Sequence, residues 1–266
     1  MTRTFHKMHG LGNDFVILDG RDEAVAMTGS LAMALCDRHQ GVGCDQLIVL
    51  GPSDCAELRM EIWNGDGSIA EACGNASRCV VKLTGAATIE TAGGILHGSS
   101  EGAEIEVAIG EPRFEWNAIP LAYPMNTAPV PLAWDEFAEP VAVNVGNPHL
   151  IFFVAAIDEA RLAEVGPRIE HDAAFPERIN VNLASIVDGV VTLRTWERGA
   201  GLTLACGTGA CATAVTAIVG KRASSPVRVE MKGGSLTIAW APGEAVRMRG
   251  AATYVYSGEI ALEALG

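Results

Sequence analysis

"LACGTGACATAV" spans residues 204–215 and "EACGNASRCVVK" spans residues 71–82. Each places Ala-Cys-Gly ahead of a run of small and apolar residues. The two cysteines, Cys73 and Cys206, stand 133 positions apart in a chain of 266. Self-similarity at a long fixed period marks a repeated architecture, and here it extends to both sides. "GNDFVIL" (Gly12–Leu18) is matched by "GNPHLIF" (Gly146–Phe152), and "LRMEIWNG" (Leu58–Gly65) by "LRTWERG" (Leu193–Gly199). "IETAGGIL" (Ile89–Leu96) is matched by "VEMKGGSL" (Val229–Leu236). The matches keep their order and nearly their spacing. One alone would be chance among common Gly and Ala residues; together they predict a duplicated domain.

Each half reads mainly as short strands. "DFVILDG", "QLIVLG", "LRMEIWN" and "EIEVAIG" in the first half are apolar, rich in β-branched residues and bounded by Gly, Asp and Pro. "VAVNVG", "HLIFFVA", "VVTLRTWE", "VRVEM" and "SLTIAW" do the same in the second. One helix stands out per half, through "SRCVVKLTG" after Cys73 and "GACATAVTAIVG" after Cys206, each stopped by Gly. The expected fold is α+β. It comprises two pseudo-symmetric domains, each a curved antiparallel sheet or barrel around a central helix with its cysteine at the helix start. The cysteine-bearing ends are expected to face each other across a cleft, where pockets favour domain interfaces.

Composition narrows the function classes. Apolar residues make up 49% and charged residues 19% of the chain, as in a globular protein. A net charge of -13 argues against a nucleic-acid partner, whose phosphates need a basic footprint, and against an anionic membrane surface. A small acidic substrate stays compatible, because an Arg or a helix N-terminus can bind it locally. "MTRTFHKMHGLGNDF" offers no signal-peptide core, and no stretch is long and apolar enough to span a membrane, so a cytosolic location is expected. Seven cysteines without a CxxC pair read as thiols rather than a disulfide framework. Neither the cysteine spacings nor His6, His9, His39, His97 and His171 match metal-ligand patterns, and no cofactor or metal is expected.

A thiol at a helix N-terminus meets unpaired N–H groups and the positive end of the macrodipole, which favour thiolate. Gly74 and Gly207 beside the two cysteines let backbone approach a ligand closely. A carboxylate could sit on both helix starts, placing a small acid between two thiols. Inverting a carbon centre needs a proton removed from one face and another delivered to the opposite face. Two acid/base groups, one thiolate and one thiol, do this without moving the substrate. A lone cysteine is most simply a small buried apolar residue; the matched pair beside Gly points to a racemase or epimerase.

The stretches "KMHGLGNDF", "DRHQGVGCDQ", "WNGDGSIAEACGNASRC", "GNPH", "FPERIN" and "ERGAGLTLACGTGAC" together resemble the diaminopimelate epimerase family, in family order and over essentially the whole chain. The resemblance implies a cofactor-independent interconversion of LL- and meso-2,6-diaminopimelate without pyridoxal phosphate, in lysine and peptidoglycan-precursor synthesis. It implies a homodimer, and two domains with the active site between them, here 1–114 plus 253–266 and 115–252. By position, Cys73 and Cys206 match the two acid/base thiols. Gly74, Asn75, Gly207 and Thr208 match the groups that hold the reacting carboxylate. Asn13, Gln46, Asn64, Asn147, Asn180 and Arg198 match substrate-binding positions, and His149 and Glu197 match residues that orient substrate and tune the thiols. The chemistry suits a substrate with an amino-acid group at each end. Arg198 can grip a distal carboxylate with its planar fork, and Asn and Gln can serve both carboxylate and ammonium.

Three positions depart from the family pattern. Ala76 replaces a frequent Gly, where a methyl is tolerable if the backbone is helical. Leu202 replaces a frequent Glu, while the catalytic match, Glu197, is present. Cys44 stands where an apolar residue is usual and reads as core. The nearest alternative is a proline or hydroxyproline racemase-like enzyme of the same fold, which should lack a grip on a second amino-acid group. A thiol redox switch would call for a resolving motif such as CxxC, and a non-catalytic binding module would need no thiol pair.

Overall fold

A computed structural model describes residues 2–71, 73–102 and 104–265. The chain divides into two compact units, residues 1–107 with 250–266 and residues 108–249. The first runs β1 (Thr2–Gly10), β2 (Asn13–Asp19), α1 (Gly29–Cys36), β3 (Gln46–Gly51), β4 (Leu58–Asn64), β5 (Ile69–Ala70), α2 (Gly74–Thr84), β6 (Thr88–Thr91), β7 (Gly94–Glu101) and β8 (Glu104–Ala108). The second runs β9 (Ala133–Trp134), β10 (Phe137–Ala138), β11 (Val141–Asn144), β12 (Pro148–Phe153), α3 (Glu159–Glu170), β13 (Asn180–Val187), β14 (Val190–Glu197), β15 (Gly201–Leu202), α4 (Gly207–Val219), β16 (Val227–Met231), β17 (Gly234–Ala239) and β18 (Arg247–Gly250). The chain returns to the first unit as β19 (Thr253–Ala261), paired antiparallel with β1.

The two units carry the same sheet. In the first, β1 pairs with β2, β2 with β3, β3 with β4, β4 with β6 and β6 with β7. In the second, β11, β12, β13, β14, β16 and β17 follow in the same order and the same sense. The sheets are mixed rather than purely antiparallel. β2–β3, β4–β6, β12–β13 and β14–β16 are parallel, and in each case a helix lies between the two strands in sequence. Parallel neighbours require such a crossover. Each unit therefore holds a second helix that periodicity alone did not separate from loop. α1 is capped by Thr28, whose Oγ1 accepts from Leu31 N at 3.2 Å, and α3 by Asp158, whose Oδ1 accepts from Arg161 N at 3.0 Å.

Two faces of each sheet do different work. On β12 and β13, Leu150, Phe152, Val181 and Leu183 join Leu162, Val165 and Ile169 of α3 in one apolar core. With a side-chain period of two, the intervening His149, Asn180 and Asn182 point to the other face, toward α4. On β2 and β3, Val16, Leu18, Leu47 and Val49 pack on Ala32, Leu35 and Cys36 of α1, which leaves Gln46 on the α2 side. α4 packs against β11, β12, β13, β14, β16 and β17. Its sequence of Gly, Ala, Thr and Val is buried almost all round, as a helix wrapped by its own sheet must be.

Glycines mark where the helices press closest. Gly98 of β7 lies under Val81 of α2, and a Cβ there would overlap the valine methyl. α2 ends at Gly85, left-handed at φ 73°, and α4 ends at Gly220 with φ -75°. Gly98→Ala should destabilise the protein by about 1–3 kcal/mol through overpacking. Adding Val81→Ala should recover part of that loss in denaturant unfolding. A single variant as stable as the parent would show that β7 gives way freely.

Candidate functional site

In each unit the candidate residues gather at one end of the central helix. Cys73 is the N-cap of α2, with extended backbone at φ -145° and ψ 107°. Asn13 opens β2, Gln46 opens β3 and Asn64 closes β4, so parallel and antiparallel pairing together bring these three to the same sheet end. Asn13 is set by a two-residue turn, with Leu11 at φ 57° and Gly12 at φ 90°. This is the positive-φ pair that matches the twist of a tight hairpin. The Asn13 Oδ1 lies 3.8 Å from Cys73 Sγ and accepts from Asn75 Nδ2 at 3.2 Å, while Asn13 Nδ2 donates to Asp45 at 3.0 Å. Gln46 Nε2 donates to Asn64 Oδ1 at 2.9 Å across the β3–β4 pair.

Cys206 is the N-cap of α4, and its Sγ accepts from Gly209 N at 3.3 Å. Thr208 Oγ1 is 3.6 Å from that sulfur. The helix start was expected to favour thiolate. Here the contacts from Thr208 and Gly209 do act in that direction, but they lose. Burial, followed by the charge of the Glu197 carboxylate, pushes the Cys206 thiol well above the ordinary thiol range. Both effects favour the thiol form of Cys206 over the thiolate.

His149 is completely buried. Its tautomer follows from its partners. Asn182 donates Nδ2 to Leu150 O at 3.1 Å and accepts from Thr195 Oγ1 at 2.9 Å, which fixes the amide orientation. The same Nδ2 faces His149 Nδ1 at 3.1 Å, so Nδ1 accepts and Nε2 carries the proton. Nε2 then reaches Asn147 Oδ1 at 2.9 Å and Thr208 Oγ1 at 3.0 Å. Burial, and secondarily the Arg198 charge, lower the His149 pKa to about 3. The imidazole is a neutral strut that ties Asn147 to the start of α4.

The β14–β15 turn carries Glu197 and Arg198. Thr203 Oγ1 donates to Glu197 Oε1, and Arg198 Nη1 donates to Glu177 O at 3.0 Å. Asn180 holds both sides of this region, donating to Pro148 O at 2.8 Å and accepting from Arg198 N at 3.0 Å. Thus Asn13, Gln46, Asn64, Cys73, Gly74 and Asn75 cluster in the first unit. Asn147, His149, Asn180, Glu197, Arg198, Cys206, Gly207 and Thr208 cluster in the second. Sequence reading missed Asn182 and Thr195, although polar residues alternating through the apolar strand "NVNLA" were a usable signal. Ala76 is fully buried in the helical first turn of α2, Leu202 is exposed on β15, and Cys44 lies in the apolar core beside α1. Among the described residues no group of three or more His, Cys, Asp or Glu side chains is arranged to hold a metal ion.

The diaminopimelate epimerase family model matches residues 5–115 and 141–255, covering both clusters. The chain belongs to the diaminopimelate epimerase family. A diaminopimelate epimerase of Rhizorhabdus wittichii is 58% identical over 265 residues, covering 98% of this chain and 97% of its own. One of Sphingopyxis alaskensis is 56% identical, covering 97% of each. Among solved structures, a hydroxyproline epimerase of Agrobacterium vitis with bound trans-4-hydroxy-L-proline superposes with a TM-score of 0.69 at 14% identity, over 97% of this chain and 91% of its own. A phenazine biosynthesis protein of the PhzF family from Bacillus anthracis gives 0.67 at 17% identity, over 98% and 99%. These two share the fold.

The buried imidazole has a direct consequence for pH dependence. The folded-state pKa of His149, about 3, lies below the ordinary 6.5. Between those values the unfolded chain binds a proton that the folded chain does not. The stability from keeping His149 neutral is complete above pH 6.5 and is lost progressively as pH falls toward 3. Nitrogen-15 NMR should show the neutral Nε2–H form of His149 still in place at pH 5. A midpoint near the ordinary histidine value would contradict the buried strut.

Proposed function

We propose that this protein inverts one α-carbon of 2,6-diaminopimelate, LL to meso, with Cys73 and Cys206 as the acid/base pair and no pyridoxal phosphate. The observation that carries the reading is the matched placement of both cysteines at the N-cap of the central helix in two units of identical topology. Family membership supplies the substrate class.

In this mechanism the Cys73 thiolate takes the α-proton and the Cys206 thiol delivers a proton to the opposite face. The thiols thereby exchange states, and the reverse reaction runs from the exchanged form. The burial and Glu197 charge that keep Cys206 protonated suit it to be the first donor. The N–H groups of Gly74, Asn75, Gly207 and Thr208, at two helix starts, are the donors for the carboxylate beside the reacting carbon. Asn13, Gln46, Asn64, Asn147 and Asn180 serve the ammonium and carboxylate groups, and the Arg198 guanidinium takes the distal carboxylate. His149 orients Asn147 and Thr208 without taking a proton, and Glu197 sets the Cys206 thiol.

The product serves lysine and peptidoglycan-precursor synthesis in the cytosol. No helix among the described residues is long and apolar enough to cross a membrane. A homodimer is supported by β19, where Tyr254, Val255 and Tyr256 are 42%, 52% and 46% exposed in a row. Exposed apolar side chains grouped on one strand mark a surface where a partner can pack.

Cys73→Ala and Cys206→Ala should each lower epimerisation by about a hundred- to ten-thousand-fold while circular dichroism stays that of the parent. Proline offered in place of diaminopimelate should exchange no α-proton. A single variant with parental turnover, or turnover of proline above that of diaminopimelate, would overturn the assignment.

A further inference from the structure

Glu170, the last residue of α3, is a carboxylate buried in an apolar core, with its side chain 3% exposed. A buried carboxylate is costly unless every lone pair finds a donor. Its donors are specific. Oε2 accepts from Trp196 Nε1 at 2.7 Å, and Oε1 accepts from Gly199 N at 2.9 Å. Arg178 Nη1 stands 3.6 Å from Oε1. Trp196 and Gly199 are the two residues that flank Glu197–Arg198 in the chain.

Two further features bind α3 and the segment after it to the same turn. Gly166 gives the Trp196 indole its seat, since a Cβ there would stand 2.7 Å from the ring. Glu177 O receives Arg198 Nη1 at 3.0 Å. Residues 166–178 therefore grip the β14–β15 turn by its indole, its backbone and its arginine. A carboxylate suits this position because it offers two acceptor oxygens to N–H donors on both sides of the turn. Glutamine in the same place would have to aim an amide N–H at one of those donors.

We propose that Glu170 is a positioning residue that fixes Glu197 and Arg198 in their working places by holding the residues on either side of them. The inference rests on the proposed roles of Glu197 at the Cys206 thiol and Arg198 at the distal carboxylate. Asp172 provides a matched control. It also accepts from an indole N–H, Trp134 Nε1 at 2.9 Å, and from a backbone N–H, Ala174 N at 2.9 Å. Neither partner belongs to the 196–199 turn.

The experiment compares the parent, Glu170→Gln and Asp172→Asn by thermal unfolding, by kcat and KM on LL-diaminopimelate, and by the pH dependence of Cys206 alkylation with iodoacetamide, read by peptide mass. Glu170→Gln should raise KM, lower kcat and reduce kcat/KM by about ten- to a hundredfold, the scale of a misplaced positioning group. Its Cys206 should alkylate at lower pH, because Glu197 no longer stands over the thiol. Asp172→Asn should lose stability and keep the parental kinetics and alkylation profile. Parental behaviour of Glu170→Gln in both assays, or equal losses in Asp172→Asn, would overturn the proposal. If Glu170→Gln does not fold, Trp196→Phe removes one donor and should shift both readouts the same way; a parental Trp196→Phe would overturn it. A parent that leaves diaminopimelate unchanged would defeat the functional reading alone, because the alkylation profiles still decide the role of Glu170.

Discussion

A cysteine at the last non-helical position before a buried helix is the constraint on which the structure turns. In both units the N-cap residue has extended backbone at the point where first-turn N–H groups lack helical partners; the Cys206 sulfur accepts from Gly209 N, and the Cys73 sulfur lies beside Asn13. The sheet must then wrap the helix closely enough to bring strand ends to that point. This explains the run of Gly and Ala in α4, the glycine beneath Val81 in β7, and the paired crossovers that make two parallel contacts per sheet. Polar residues at alternate positions on the inner face of β12 and β13 converge on the same helix start.

At Cys206 two opposing effects are settled by magnitude. A helix N-terminus is worth roughly 0.3–1 kcal/mol to a nearby anion in exposed settings. Removing a thiolate from water costs far more, and the Glu197 carboxylate adds repulsion. The helix start alone therefore does not make Cys206 a thiolate, and in the proposed function its N–H groups serve the substrate carboxylate instead. The neutral His149, buried between Asn182 and the Asn147–Thr208 pair, is consistent with that design. It contributes direction and no charge.

Much of this was legible in the sequence. The repeated Ala-Cys-Gly and the three flanking matches gave two units of one topology, and the family motifs gave the candidate residues of both clusters. What escaped was whatever depends on tertiary context. "GSLAMALC" is too short to separate a helix from a buried strand by periodicity, and only its Thr28 cap marks it. β19, "TYVYSGEIA", is exposed along most of its length and so lacks the alternation that betrays a half-buried strand. Parallel pairing is a property of crossovers, which no single segment shows. Glu170 reads as an ordinary surface acid until Trp196 and Gly199 are seen to close over it.

The central claim is that the duplicated cysteines transfer protons at opposite faces of one carbon. Its most direct test is conversion of LL-diaminopimelate in heavy water, stopped at low conversion, with mass spectrometry of both stereoisomers. In the proposed mechanism the donor thiol brings a solvent-derived proton and the acceptor thiol keeps the one taken from substrate. The account predicts deuterium at the inverted carbon of the product and little deuterium in recovered substrate. Product that keeps its original hydrogen at that carbon would contradict it.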